Sequence, residues 1–215
     1  MATDLSSSGC VAGVVLSGGA SSRMGMPKAL LPVAGGIPLA ARQALTLHEA
    51  GCSPVCLVTG RHDAEIRAAL GAVGALVHVG LEIHENPDWA QGRATSVRRA
   101  LRAIEGRAAA ALLLPVDAVG IRADTLAAVV AAFREGDGTR PLRPTYDGQK
   151  GNALLIPAAR FAEVLALPAD ARIDAWAAPL AVPVPCDDPA LLANCNTPAD
   201  WAAAGFSSVG RGGAL

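Results

Sequence analysis

The chain has 215 residues, of which 52% are hydrophobic but only 3% are aromatic. This length suits one domain, and the scarcity of aromatic residues requires a core of Ala, Val and Leu between closely packed layers. The 18 basic and 19 acidic residues leave a formal net charge of -1, which argues against a protein that binds nucleic acid or anionic membranes through long-range attraction.

The predicted elements alternate between strands and helices between two Ser- and Gly-rich tails. We expect flexible tails at residues 1–9 and 207–215 and a single domain at residues 10–206. In chain order the domain has a strand at Val11–Ser17, a helix at 38–50, a strand at Val55–Thr59, a helix at 62–70, a strand at Leu76–Val79, an amphipathic helix at 94–104, a strand at 109–115 and a helix at 123–133. Strands near Leu154 and Val184 and helices near Phe161 and Trp201 follow. This alternation predicts an α/β fold with a doubly wound, mostly parallel sheet, whose ligand site lies beyond the carboxyl ends of its strands.

Cysteine and histidine residues give no metal or disulfide signal by spacing. The five cysteines are odd in number and form no C-x-x-C pair, which favours neither a disulfide framework nor a zinc site. We assign surface or packing roles to the histidines, His48, His62, His78 and His84. The N-terminus lacks the segments of a signal peptide, and no apolar run is long enough to span a membrane. We therefore expect a cytoplasmic protein that contacts neither nucleic acid nor a membrane.

A glycine-rich loop directly follows the first predicted strand. It reads Leu16-Ser17-Gly18-Gly19-Ala20-Ser21-Ser22-Arg23-Met24-Gly25-Met26-Pro27-Lys28. Glycines let backbone amides approach phosphate oxygens, while Arg23 and Lys28 supply a forked and a compact cation. The spacing matches neither the G-x-x-x-x-G-K-[ST] loop nor the G-x-G-x-x-G fingerprint. The loop therefore predicts a different kind of phosphate site, and a flexible loop with two solvated cations is the alternative.

One carboxylate stands at the end of a predicted buried strand. Asp117 follows the apolar run 111–115, so it can leave the core and reach the edge of the sheet where the ligand is expected. Magnesium prefers oxygen ligands and keeps several waters, so one or two carboxylates with phosphate oxygens suffice. Asp117 is thus a candidate magnesium ligand, and an aspartate that caps a helix or a turn is the alternative.

The loop resembles the L-x-G-G-x-S-x-R-M-G-x-x-K signature of the molybdenum cofactor nucleotidyltransferases, the MobA-like guanylyl- and cytidylyltransferases. The resemblance implies a Rossmann-like fold of the nucleotide-diphospho-sugar transferase type, with Arg23, Lys28 and Asp117 as catalytic residues. It also implies that the loop holds the NTP through Leu16, Ser17, Gly18, Gly19, Ala20, Ser21, Ser22, Arg23 and Lys28.

Two further segments are similar to motifs of the same family. Residues 86–92 resemble its N-P-x-x-x-x-G segment, which implies nucleotide binding by Asn86, Gly92 and Ser96 in the following helix. The Pro-x-Asp setting of Asp117 resembles the family's metal-binding aspartate, which implies that Asp117 contacts the nucleotide as well as the metal. Residues 194–200 resemble its N-x-N-T-P-x-D/E motif, which implies Asn196 as a second metal ligand beside Asp117. From the residues alone, the latter segment also predicts a helix start with Thr197 as N-cap and Pro198 as first helical residue.

The resemblance is divided between two branches of the family. Gly18-Gly19 and Asn194-Cys195-Asn196 are similar to guanylyl-transferring members, whereas residues 21–31 are similar to cytidylyl-transferring members. Our hypothesis slightly favours GTP over CTP, since Gly18 leaves room for a purine. Gly151-Asn152-Ala153 replaces the Gly-His-Pro of cytidylyl-transferring relatives. Contacts to the acceptor are open to Tyr146, Lys150 and Asn152, which a surface hairpin would explain equally well.

The resemblance implies a magnesium-dependent transfer of NMP from the NTP to molybdopterin, with release of pyrophosphate. It also implies a molybdoenzyme or a cofactor carrier as protein partner. Two alternatives stay open: an NTP-binding module that has lost transfer, and transfer to a different phosphorylated acceptor. A nucleotide-dependent oxidoreductase is disfavoured because the dinucleotide fingerprint is missing.

Overall fold

The computed structural model describes residues 9–19, 26–33, 35–195 and 197–203. Over these ranges the strands are β1 (Val11–Ser17), β2 (Val55–Thr59), β3 (Glu82–Glu85), β4 (Ala110–Pro115), β5 (Leu142–Tyr146), β6 (Gln149–Lys150), β7 (Leu154–Pro157) and β8 (Val182–Pro185). The α-helices are α1 (Leu39–Glu49), α2 (Asp63–Gly71), α3 (Leu76–Val79), α4 (Arg93–Ile104), α5 (Ala123–Glu135), α6 (Phe161–Leu165), α7 (Ile173–Ala177) and α8 (Pro198–Ala203). None of the helices in these ranges has the length and apolar character needed to cross a membrane.

The strands form one mixed sheet in the order β3-β2-β1-β4-β7-β5-β6, and β8 pairs with β5. The four strands from β3 to β4 are parallel, and β7 joins β4 in the antiparallel direction. Strand β5 pairs antiparallel with β7 and β6 and parallel with β8. This confirms the predicted α/β fold with a mostly parallel sheet.

Helices cover both faces of the sheet. Helices α1, α2, α3 and α5 pack on one face, and α4, α6 and α7 pack on the other. In β1 successive residues alternate between these layers, with Val15 in the first and Val14 in the second. A Cβ atom on Gly13 of β1 would lie 2.9 Å from the Cβ of Leu47 in α1. The close approach of helix to sheet explains how a core nearly without aromatic residues is filled.

One predicted strand is wrong. Leu76–Val79 form the one-turn helix α3, and Gly80 follows with a φ of 62°, a left-handed conformation that commonly ends helices. A short apolar run does not by itself distinguish a buried strand from a helical turn. The third strand is β3, which lies at the edge of the sheet, so its polar residues produce no apolar signal.

The other predicted elements are confirmed, with ends that differ by one or two residues where ends were given. Strands β5 and β6 were considered only as the surface-hairpin alternative for Tyr146 and Lys150, and α7 was not predicted. Strand β5 contains Pro144, which lacks the N–H of a ladder residue and therefore argued against a strand. Helix α7 is only five residues long, which is too short for a helical periodicity to stand out.

Candidate active site

The glycine-rich loop and the candidate metal ligand leave the sheet side by side. In the parallel register of β1 and β4, Leu16 is the partner of Pro115. The backbone N–H of Val116 donates to the carbonyl oxygen of Leu16 at 3.0 Å. Gly18 and Asp117 therefore emerge from neighbouring strands at the carboxyl edge, which is where ligands bind in sheets of this kind.

Lys28 and Asp117, which are far apart in the sequence, form an ion pair at this edge. Lys28 Nζ donates to Asp117 Oδ2 at 2.9 Å, and the two side chains are 15% and 26% exposed. Lys28 begins a 3-10 helix, Lys28–Leu30, which is anchored by the fully buried Ala29. The pairing brings together a cation and a carboxylate that the sequence assigned to one site.

The loop that carries Asp117 is held by bonds to its backbone. Buried Gln43 of α1 donates its side-chain amide to the carbonyl oxygen of Ala118 at 2.6 Å. The backbone N–H of Cys195 donates to the carbonyl oxygen of Asp117 at 3.0 Å. Sequence reasoning missed Gln43, although a signal was present: it lies four residues from Leu39 and from Leu47, on the buried face of α1.

Asn86 and Ser96 lie together beneath the first glycine of the loop. Asn86 is 2% exposed, and its side-chain amide donates to Ser96 Oγ at 3.0 Å and to Thr95 Oγ1 at 2.8 Å. A Cβ atom on Gly18 would lie 2.3 Å from Ser96 Oγ. Since Ser96 Oγ accepts from Asn86, its own proton is available for an acceptor at the loop.

The position of Gly18 weakens the steric argument for a purine. The direction in which a side chain at Gly18 would project is occupied by Ser96. The missing side chain therefore makes room for the close approach of α4 to the loop, and not for a base. Gly60, which sequence reasoning missed, serves the same end, because a Cβ atom there would lie 2.7 Å from the carbonyl oxygen of Gly18.

Gly92 supports the site from the start of α4. Its φ is 149°, and a Cβ atom on it would lie 2.1 Å from the carbonyl oxygen of Ala169. Its carbonyl oxygen accepts a hydrogen bond from Thr95 Oγ1 at 2.6 Å. These contacts give Gly92 a packing role at the helix start, and its predicted contact with the nucleotide stays a prediction.

The residues considered for the acceptor are not grouped on one surface feature. Tyr146 and Lys150 lie on the hairpin of β5 and β6, as the hairpin alternative predicted. Asn152 instead donates its side-chain amide to the carbonyl oxygen of Ala193 at 2.9 Å and accepts from Asn194 Nδ2 at 3.1 Å. Its side chain thus braces the segment that leads to Cys195.

Several predicted site residues lie outside the described residues. They are Ala20, Ser21, Ser22, Arg23 and Asn196. Next to Asn196, the predicted helix start is confirmed, since α8 begins at Pro198. Thr197 Oγ1 accepts from the N–H of Asp200 at 3.2 Å, and Asp200 Oδ2 accepts from the N–H of Thr197 at 2.8 Å, which is a reciprocal N-terminal cap.

The donor atoms at Asp117 fit a magnesium ion. Lys28 bonds to Oδ2, so Oδ1 can serve as a ligand while the ion pair persists. A single carboxylate with phosphate oxygens and water meets the usual requirement of magnesium. Cys195, whose backbone adjoins Asp117, offers a sulfur atom and is no rival ligand for magnesium, which prefers oxygen.

A family model and several known proteins match this chain. The family model described as "MobA-like NTP transferase domain" matches residues 13–184. The "Bifunctional protein GlmU" of Anaeromyxobacter sp. (strain K) is 32% identical over 152 residues, which are 70% of this chain and 30% of that protein. The chain therefore spans about a third of the length of this curated relative.

Two solved structures share the fold at low sequence identity. "A nucleotidyl transferase from Methanothermobacter thermautotroptrophicus (Mth528)" has a TM-score of 0.73 and 19% identity, and the match covers 91% of this chain and 95% of that one. The manganese complex of Rv0371C from Mycobacterium tuberculosis H37Rv has a TM-score of 0.69 and 21% identity, with 90% and 97% of the two chains covered. At this identity the likeness concerns the fold alone.

Proposed function

This chain belongs to the MobA-like NTP transferase domain family, and from that premise we propose that it transfers a nucleoside monophosphate from an NTP to molybdopterin and releases pyrophosphate. The observation that carries the proposal is the Lys28–Asp117 pair at 2.9 Å beside the glycine loop. A cation of the kind that binds phosphate and a carboxylate of the kind that binds a metal thus lie together at the edge where β1 and β4 end, which supports the proposal.

In the proposed reaction, a phosphate oxygen of the acceptor attacks the α-phosphorus of the NTP in line with the leaving group. The new P–O bond forms as the bond between the α-phosphorus and the bridging oxygen to the β-phosphorus breaks, and pyrophosphate leaves with that electron pair. No covalent intermediate with the protein is required. The task of the protein is to position both phosphates and to stabilise the developing negative charge.

The chain's own residues divide this task. Lys28 and Arg23 neutralise the β- and γ-phosphates, and the amides of the glycine loop donate to their oxygens. Ser96, held by Asn86, donates its proton to an oxygen of the bound nucleotide beside Gly18. Asp117, with Asn196, would hold magnesium, which when bound screens the phosphate charge.

The metal and the base are finer parts of the proposal. Magnesium is our choice because a carboxylate and phosphate oxygens suit it, and the manganese complex of Rv0371C makes manganese the natural comparison. We retain the slight preference for GTP over CTP on the resemblance of the Asn194-Cys195-Asn196 segment alone, since Gly18 faces Ser96.

The acceptor and the setting rest on the family resemblance. Molybdopterin is our proposed acceptor, a molybdoenzyme or cofactor carrier is the proposed protein partner, and the cytoplasm is the proposed location. The second candidate is an NTP-binding module without transfer. One observation favours it. The side chain of Asn152, which we considered for contact with the acceptor, instead makes hydrogen bonds with Ala193 and Asn194.

The test is a panel of GTP, CTP, ATP and UTP with magnesium or manganese, with and without molybdopterin, followed by pyrophosphate release. We expect release that requires both the metal and molybdopterin and is faster with GTP than with CTP. Release that is tenfold faster with CTP than with GTP would reverse our assignment of the preferred nucleotide. Release with another phosphorylated acceptor only would replace molybdopterin, and NTP binding without release with any acceptor would favour the binding module.

A further inference from the structure

A group of three side chains on neighbouring strands lies apart from the Lys28–Asp117 site. Cys56 at the start of β2 is the register partner of Glu82 at the start of β3, and His84 follows two residues along β3. Strand residues two apart point to the same face, so all three project on one side of the sheet. One ligand atom from each lies within 4.8 Å of the others.

We propose that Cys56, Glu82 and His84 bind one divalent transition-metal ion of the zinc type. A thiolate, an imidazole and a carboxylate are the three side-chain groups that zinc uses in proteins, and water can fill a fourth tetrahedral position. With bonds of about 2.0 to 2.3 Å, ligand atoms of a tetrahedral zinc site lie roughly 3.3 to 3.8 Å apart. A separation of up to 4.8 Å requires the ligand atoms to draw closer together when the ion binds.

The imidazole is already placed for this role. His84 Nε2 is buried and, within the described parts of the chain, makes no hydrogen bond. It lies 3.3 Å from Glu82 Oε2, which is the separation expected of two ligands on one zinc ion. The contact with Glu82 Oε2 lacks hydrogen-bond geometry, so this buried ring nitrogen is poorly satisfied and a metal ion would satisfy it better.

Arg107 is the competitor for this ion. Its guanidinium binds Glu82 through both carboxylate oxygens, at 2.9 Å to Oε2 and 2.5 Å to Oε1. The metal must share Oε2 with Arg107 and displace the proton of the buried Cys56 thiol. The thiolate ligand favours a thiophilic ion such as zinc over magnesium.

The consequence of binding would be structural. Strand β3 lies at the edge of the sheet and is joined to the rest of it through β2. A metal held by Cys56 of β2 and two residues of β3 would fasten that edge. Asn86, which follows β3 and supports Ser96, would be fastened with it. The site does not depend on the proposed transfer reaction, and its test needs no nucleotide.

The experiment is calorimetric titration of the metal-free chain with zinc chloride, together with thermal unfolding with and without zinc. We expect one zinc per chain and a higher Tm with zinc. The His84→Gln variant should bind zinc at least tenfold more weakly, while Arg107→Gln, which removes the competing cation, should bind it more tightly. His78→Gln, which alters an exposed histidine of α3, is the matched control and should bind as the unaltered chain does.

Cobalt provides a second measurement that a packing role would not affect. A cobalt ion bound by Cys56 shows a thiolate-to-metal charge-transfer band, which should be present in the unaltered chain and in His78→Gln but absent in Cys56→Ala. If Cys56→Ala does not fold, His84→Gln still decides the question. Zinc affinity in His84→Gln equal to that of the unaltered chain, or no charge-transfer band with cobalt, would overturn the proposal.

Discussion

The ion pair between Lys28 and Asp117 gives each residue two tasks. In the structure each satisfies the charge of the other, at 2.9 Å. During the proposed reaction Lys28 is needed by phosphate and Asp117 by a metal. Under this proposal the pair is a resting arrangement that keeps both groups near the positions they would take in the reaction. Removing either residue leaves its partner without the charge that balances it.

Replacing Lys28 should impair the reaction without unfolding the chain. We expect Lys28→Ala to lower kcat/KM for the NTP tenfold or more, about 1.4 kcal/mol of transition-state stabilisation, since a cation near the phosphates is lost. Arg102→Ala, which removes an exposed cation from α4, is the control with the same change in net charge. Equal kcat/KM in the two variants would remove Lys28 from the site.

Replacing Asp117 should separate metal use from nucleotide binding. In Asp117→Asn an amide oxygen can still coordinate but carries no charge, so we expect magnesium-dependent transfer to fall more than NTP affinity. The backbone bond from Cys195 to position 117 does not need the carboxylate, so the fold should be retained. Rates of pyrophosphate release across a magnesium series and direct NTP titration measure the two effects. Full activity at ordinary magnesium would exclude the role.

Replacing Gly92 should show whether the structure requires a glycine at the start of α4. A Cβ atom at Gly92 would meet the carbonyl oxygen of Ala169 at 2.1 Å, at a φ of 149°. We expect Gly92→Ala to lower the free energy of unfolding by about 2 kcal/mol or more. The control is Gly71→Ala at the end of α2, where no atom lies within 4 Å and a gain of about 0.5 kcal/mol is expected. Urea unfolding measures both, and similar values would contradict the argument.

Sequence patterns predicted the parallel half of the sheet because its elements have strong local signals. The valine-rich β1 and the leucine-rich β4 are buried on both faces, so each appears as a continuous apolar run. The edges were harder, since β3 is polar and β5 contains Pro144. Their pairing depends on partners distant in the chain, and no local periodicity reports it.

The residues of the candidate site divide in the same way, into those with a local sequence signal and those that depend on distant contacts. Lys28 and Asp117 could be named from the sequence, because a cation after a glycine loop and a carboxylate after a buried strand have local signatures. The spacing of Gln43 indicates that it is buried, but it does not assign Gln43 to the site. Gln43 and Gly60 matter through contacts with Ala118 and Gly18 across the fold. A glutamine in a helix and a glycine after a strand have many other uses.

At the scale of the whole molecule, two buried thiols should make the free energy of unfolding decrease at alkaline pH. Burial raises the pKa of Cys52 and of Cys56 from 9.0 to about 12. In the unfolded chain both thiols ionise near 9, so the folded state binds more protons between those values. The stabilising contribution is therefore complete below pH 9 and is lost as pH rises toward 12, with a slope of at most about 1.4 kcal/mol per pH unit for each thiol.

Urea unfolding between pH 8 and 10.5, with a chelator present, measures this slope. The double variant Cys52→Ala, Cys56→Ala is less stable at pH 8 because it leaves cavities, but its stability should fall less steeply with pH. The difference between the two slopes isolates the thiols from the other groups that titrate in this range. Parallel curves would show that the thiols do not cause the dependence.

The hydrogen bond from Cys195 to Asp117 also has a consequence for how the protein is made. A ribosome delivers the chain in order, so Lys28, Gln43 and Asp117 emerge while residue 195 is still to be translated. Every strand of the described sheet leaves the ribosome before Cys195 does, since β8 ends at Pro185. The sheet can thus be complete while the Asp117 loop still lacks its final brace. A nascent chain would gain its fold first and its finished active site afterwards.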